Sequence, residues 1–358
     1  MRQTFVLGTA ALFLLAAACG SGRTATFAYV ANNDLSSISV FQIDAKTGML
    51  TLARTVDAAP GGATYCEVAP SGRLMFVSGQ FGNAVSAYSI DAAGIPTLVA
   101  GSTMQTGANP HNLALDPEGR FLYVANTSGD SVSAFAIGSN GALTPIAGSP
   151  FPAGRTPYDV KLAASGKFAY AVNRDTDDVS VFAVNAGTGA LTPIANQPFG
   201  VACRAPPCGP RAIEFSPDGK FAFVPNRFSN DVSVLRVDAI SGALVPIAGS
   251  PFAAGTDPRS AALDPEGRYL YVPNATSNDV SAFAIDGKTG ALTPLPGSPV
   301  PAGAGPISIE IDESGRSVYV ANSVSNSVSI FRTDSATGRL SPMATVPTAG
   351  SAFSIALK

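Results

Sequence analysis

The chain is poor in ionisable side chains. Only 13% of its 358 residues are charged, and it holds a single histidine, His111. One histidine excludes a Ser-His-Asp site anywhere but around that residue, and it is the only side chain whose ordinary pKa lies near neutrality. The net charge of −3 provides no bulk basic field to gather nucleic acid. No window sustains the i, i+3, i+4 apolar spacing of an amphipathic helix. The apolar run at residues 5–18 falls short of the roughly 20 residues that cross a bilayer.

Glycine and proline are abundant, at 36 and 28 residues, and they punctuate a unit that returns seven times. Its clearest landmark is the Asn that closes "YVAN". The landmark falls at Asn32, Gly79 (where Asn is replaced), Asn126, Asn173, Asn226, Asn274 and Asn322. Successive spacings are 47, 47, 47, 53, 48 and 48 residues. A period near 40–50 points to a propeller or a helical array. Each unit reads as strands. "NLALD", "RFLYVAN", "DSVSAFAI" and "LTPIAGSPF" are short runs separated by Pro-x-Gly and Gly-rich turns. Proline at 145 and 150 makes the fourth run an edge strand, because Pro donates nothing to a ladder. The expected fold is therefore all-β: a seven-bladed β-propeller of four-stranded antiparallel blades over residues 26–358. Length alone would favour two domains, and the repeat overrides it. The first repeat lacks an inner strand and the last carries an extra one, "FSIALK". The two should pair and close the ring.

Residues 1–18 read as a signal peptide: a charged start, an apolar core and small residues before a cut site. Ala16-Ala17-Ala18 before Cys19 resembles a bacterial lipobox, with Ala16 where Leu is usual. Cys19 is then the lipidated N-terminus, and residues 19–25 are a tether. Loss of Arg2 takes the net charge from −3 to −4. The expected location is the bacterial cell envelope, with the membrane reached through lipid alone. Export favours disulfides. "CRAPPC" brings Cys203 and Cys208 together in the insertion that stretches one spacing to 53, so a disulfide there is expected. One histidine leaves too few soft ligands for a metal pair there. Cys66 falls on an apolar position of an inner strand and should be buried.

The tight "DPEG" and "TGAL" turns occupy one face of the ring and the longer loops the other. Long loops on a rigid scaffold are where binding concentrates. The residue after each loop proline starts an inner strand at the channel mouth: Thr64, His111, Tyr158, Arg211, Arg259, Ile307 and Phe353. Arg155, Arg174 and Arg227 lie in loops of the same sector. Arginine forks suit carboxylate or phosphate. An anion-binding mouth follows, with solvated loop arginines as the bland reading. Three residues deeper come Glu67, Lys161, Glu214 and Glu310. Channel lining is the better reading there, against a hard-cation site such as Ca²⁺. The loop Asn residues read as structural, bonding their own backbone in turns.

The unit "PHNLALDPEGRFLYVAN…DSVSAFAI…GALTPI" resembles the lactonase-type seven-bladed propeller family, which includes bacterial 6-phosphogluconolactonases and fungal carboxymuconate-cyclising enzymes. The resemblance implies a Pro-His pair opening one inner strand, matched by Pro110-His111. It also implies an Arg-His pair in a later blade, with an acidic residue in the following loop. Arg211 matches that arginine. Ala212 stands where His is implied, and Arg227 near the acidic position. The Asp-Leu-Gly after the first motif is here Asn126-Thr127-Ser128. As a hydrolase, the chain would use His111 as base and Arg211 for developing charge. These departures make the leading expectation a binding module for an anionic or sugar-like ligand or an envelope protein. A lactone hydrolase is the alternative, and a structural surface protein the third reading. No metal or cofactor is expected, and the chain is expected to be monomeric.

Overall fold

The computed structural model describes residues 27–59 and 61–358. The expected leader, the Cys19 lipidation site and the tether lie outside the described residues. Seven antiparallel sheets are present, matching the seven repeats. Blade 1 runs from its outer to its inner strand as Leu50–Asp57, Ser37–Ile43, Phe27–Asn32 and Ala352–Leu357. Blades 2 to 7 follow at residues 63–105, 110–152, 157–200, 214–253, 262–301 and 306–347. The final strand completes blade 1 in antiparallel register, Ala28 opposite Leu357 and Val30 opposite Ile355.

Each blade is apolar on both faces of its middle strands, so it must be covered on both sides. Seven clusters of buried side chains do this, each straddling two neighbouring blades. The cluster of Val30, Phe41, Tyr319 and Val328 joins blade 7 to blade 1. Burying each such large side chain contributes about 1.5–3 kcal/mol. The buried tyrosines also reach sideways. Tyr123 of blade 3 donates to the Gly189 carbonyl of blade 4 at 2.9 Å, and Tyr319 of blade 7 to the Gly48 carbonyl of blade 1 at 2.9 Å. Tyr29 and Tyr271 make the same bridge to Gly94 and Gly338, so closure repeats a contact used at other junctions.

Two expectations are corrected. The fourth run is continuous only in blades 1 and 7, at Leu50–Asp57 and Leu340–Pro347. In blades 2 to 6 it splits into two short strands that both pair with the third strand, as Leu143–Pro145 and Phe151–Pro152 do with Ser131–Ile137. In blades 3, 5 and 6 a Gly-Ser-Pro turn separates the two, and in blade 4 Asn-Gln-Pro, with no proline N–H to carry the ladder across; blade 2 splits at Gly-Ser-Thr without a proline. The closing Asn residues are structural, but through a different contact. Each is fully buried and donates to side chains five and seven residues on: Asn126 to Ser131 and Ser133, Asn226 to Asp231 and Ser233.

Cys203 and Cys208 form the expected disulfide, with Cα atoms 5.6 Å apart. Asp177 holds the same stretch by accepting the N–H groups of Cys208 and Gly209 at 2.9 and 2.8 Å. Cys66 is buried between blades 1 and 2, and burial pushes its thiol up to about 12. It stays protonated and unreactive.

Candidate functional site

The channel mouth opens into a cavity of about 730 Å³. One backbone feature decides what lines it. In every blade the inner strand carries one extra residue between its first pairing and the next, as Pro110 and Leu113 oppose Asn126 and Val124. A bulge of this kind re-aims side chains. Strict alternation would turn only one of two successive residues inward. Here His111 and Asn112, Tyr158 and Asp159, Arg259 and Ser260 all face the cavity. Blade 2 departs from the expectation. Thr64 is buried, donating to the Gly62 carbonyl and accepting from Asn33, and Tyr65 lines the cavity instead.

The bulge assembles a relay across blades 3, 4 and 5. Asp159 Oδ2 accepts the Ile213 N–H at 3.0 Å, and its Oδ1 accepts Asn112 Nδ2 at 3.0 Å. That fixes the Asn112 amide, so Oδ1 is the atom facing His111 Nδ1 at 2.8 Å. Nδ1 must then carry the proton, and Nε2 keeps its lone pair. Burial, then the charges of Arg211, Arg259 and Arg174, hold the imidazole pKa down at about 3. His111 is neutral at any working pH.

Aromatic and cationic groups stack beside it. The His111 and Tyr158 rings lie 4.2 Å apart, and the Arg211 guanidinium sits 3.6 Å above the Tyr158 ring. Burial alone would raise the Tyr158 phenol, but Arg211, Arg174 and Arg259 outweigh it and hold it below its ordinary value. Arg211 is only 9% exposed, and its Nη1 has no hydrogen-bond partner among the described residues. Burial brings its pKa to about 10, so the charge persists at neutral pH. A buried guanidinium with an unmet donor is costly and attracts an anion.

The other predicted cations divide. Arg259 forks onto Asp257 at 2.5 and 2.6 Å, and Arg227 reaches the same carboxylate at 3.1 Å. Both line the cavity, already partly neutralised. Arg174 pairs with Asp175 at 2.7 Å and lies 5.3 Å from the Tyr158 ring. Arg155 does not reach the cavity. It lines an adjoining depression of about 300 Å³ with Arg174, because its exposed loop position sits outside the inner strand. Below the mouth, Lys161 pairs with Glu214 at 2.6 Å. Glu67 and Glu310 line the same channel, and burial raises them to about 7 and about 8. Among the described residues, no three His, Cys, Asp or Glu side chains have the spacing to hold a metal ion.

Sequence reasoning missed Asn112, Asp159 and Asp257. The only signal for the first two was their place after the mouth residue. Asp257 sits two residues before Arg259 in "TDPRS", where a local pairing was legible.

A family model described as lactonase, 7-bladed beta-propeller, matches residues 21–304 and 297–356. Among solved structures, a candidate 6-phosphogluconolactonase from Bacteroides fragilis superposes with a TM-score of 0.82 at 26% identity, over 93% of this chain and 97% of that one. A periplasmic gluconolactonase from Pseudomonas aeruginosa gives a TM-score of 0.77 at 23% identity, over 92% and 98%, and speaks for the fold alone. The 6-phosphogluconolactonase of Pectobacterium carotovorum subsp. carotovorum (strain PC1) is 31% identical over 81 residues, 21% of this chain. The chain matches about a quarter (24%) of that curated relative's length.

Proposed function

The chain belongs to the lactonase seven-bladed β-propeller family, and from that premise we propose that it hydrolyses a lactone at the mouth between blades 3 and 6. One observation carries the reading: a neutral imidazole with a free Nε2 faces the same cavity as a buried guanidinium with an unmet donor. In the proposed step, Nε2 takes a proton from water as the oxygen attacks the carbonyl carbon. Arg211 Nη1 donates to the oxyanion. The ring C–O bond breaks, and the imidazolium returns its proton to the leaving alkoxide, giving the hydroxy acid. The low pKa of His111 makes it a weak base in the empty pocket. An anionic substrate offsets the Arg211 and Arg259 charges, and the oxyanion gives the imidazolium a counter-ion as it forms.

The proposal includes export to the cell envelope through the 1–18 leader, anchoring at Cys19, and an anionic small molecule as ligand. The leader itself supports that compartment: a charged start, an apolar run and small residues before Cys19.

The test is proton release from a gluconolactone-type substrate. The expected result is saturable turnover that falls about 10²–10⁴-fold in His111→Ala. kcat/KM, which reports the free enzyme, should show no histidine inflection between pH 5 and 8, because His111 stays neutral there before substrate binds. Saturable binding of gluconate without proton release would favour the second reading, a binding module. The weak basicity of His111 and the alanine at Ala212 are what support that alternative.

A further inference from the structure

The cavity has two unlike walls, and only one of them serves the chemistry proposed above. Blades 3 to 6 supply His111, Tyr158, Arg211 and Arg259. Across the mouth, the equivalent positions of blades 7 and 1 hold Ile307 and Phe353. Above them, Val324 and Phe81 rise from the loops of blades 7 and 2 and line the same cavity. These two side chains are 73% and 69% exposed. Large apolar groups left that open on one wall of a cavity mark a binding surface.

Glycines set where the outer side chains of the wall sit. Phe81 lies against Gly62 and Val324 against Gly305, so close that a β-carbon at either glycine would fall within 2.5 or 2.6 Å of them. Both glycines have positive φ, +75° and +67°, so the loops favour glycine twice over. The apolar side chains thereby lie over the mouth and face solvent.

We infer that the ligand of this site is an anion carrying an apolar alkyl or aryl portion, its charge on Arg211 and its apolar part against Phe81, Val324, Ile307 and Phe353. Charge complementarity fixes the orientation. The floor carries Lys161, Glu214, Glu67 and Glu310, so an apolar tail cannot descend the channel without stripping water from charges. It must lie along the wall of blades 7, 1 and 2. Asn33, Gln80 and Ser323 line the same side, so a polyol acid would find partners there but would leave the four apolar side chains wet. This inference rests on the location of the proposed site but not on its turnover.

The test is calorimetric binding of acetate, butanoate and hexanoate, with gluconate as the polyol of matched chain length. Each buried methylene contributes about 0.8 kcal/mol, or about fourfold in affinity. The expected result is a rise of about three- to fourfold per methylene, with hexanoate well above gluconate. The paired change Phe81→Ser with Val324→Ser, at exposed positions, should flatten the series while leaving acetate unchanged. Arg211→Gln should weaken every member. Gluconate binding as tightly as hexanoate, or a series unaltered by the paired change, overturns the inference. A rising series without lactone turnover sinks the hydrolase reading and leaves this one standing. Turnover without a rising series does the reverse.

Discussion

The inside of the blades and the wall of the channel are built from the same repeat, yet they treat it oppositely. Inside, six of the seven blades keep the closing Asn, and each Asn bonds residues five and seven places on. On the wall, the equivalent inner-strand position holds Thr64, His111, Tyr158, Arg211, Arg259, Ile307 and Phe353. The Asn bonds are made within one blade, so each blade can make them alone; blade 2, with Gly79, does without. The wall residues meet only across the ring, so each blade is free to supply something different. In a repeat protein, sameness marks what one module does alone, and difference marks what the ring does together.

Paired substitutions separate the two regions. Arg211→Gln should lower kcat/KM for a lactone about 10²–10³-fold, the cost of losing an oxyanion donor, with the urea midpoint unchanged or raised. Asn226→Ala should do the opposite. It removes one donor from each of Asp231 and Ser233, which keep their bonds to Ser229, Arg204 and Ala202, lowering stability by about 1–2 kcal/mol while turnover per folded molecule holds. If Asn226→Ala abolished turnover in protein that remained folded, the division would fail.

The insertion between blades 4 and 5 tests the comparison too. Cys203→Ser with Cys208→Ser frees a loop closed at a sequence separation of 5. Loop entropy puts the loss at about 2 kcal/mol, read as a lower thermal midpoint. A pH-dependent effect lies on the channel floor. Burial, helped by Glu67 and Glu214 against Lys161, raises Glu310 from an ordinary 4.5 to about 8. The folded chain then holds this proton longer than the unfolded chain does. Stability is full below about pH 4.5 and declines as pH rises toward 8. Glu310→Gln should therefore raise the thermal midpoint at pH 8.5 and leave it unmoved at pH 4.

Much of this was legible in the order of residues. Period-2 alternation gave the strands, and the proline positions gave the outer edges. The short "CRAPPC" spacing gave the disulfide. His111, Tyr158, Arg211, Arg227 and Arg259 were all placed at the mouth, where they line one cavity. Arg155 and Arg174 were placed there too, but both line the neighbouring depression instead. Asn112 and Asp159 were missed because alternation pointed them away from the channel. A single bulged residue per blade reversed that.

The sequence by itself determined a ring of seven sheets, because alternation, turn chemistry and a 47–48-residue period are local properties that each module satisfies alone. Only the tertiary structure decided which residues face one another. The His111–Asn112–Asp159 relay and the apolar wall opposite Arg211 join side chains from separate blades. Their meeting depends on ring curvature and bulge geometry, and neither leaves a periodic trace in the chain.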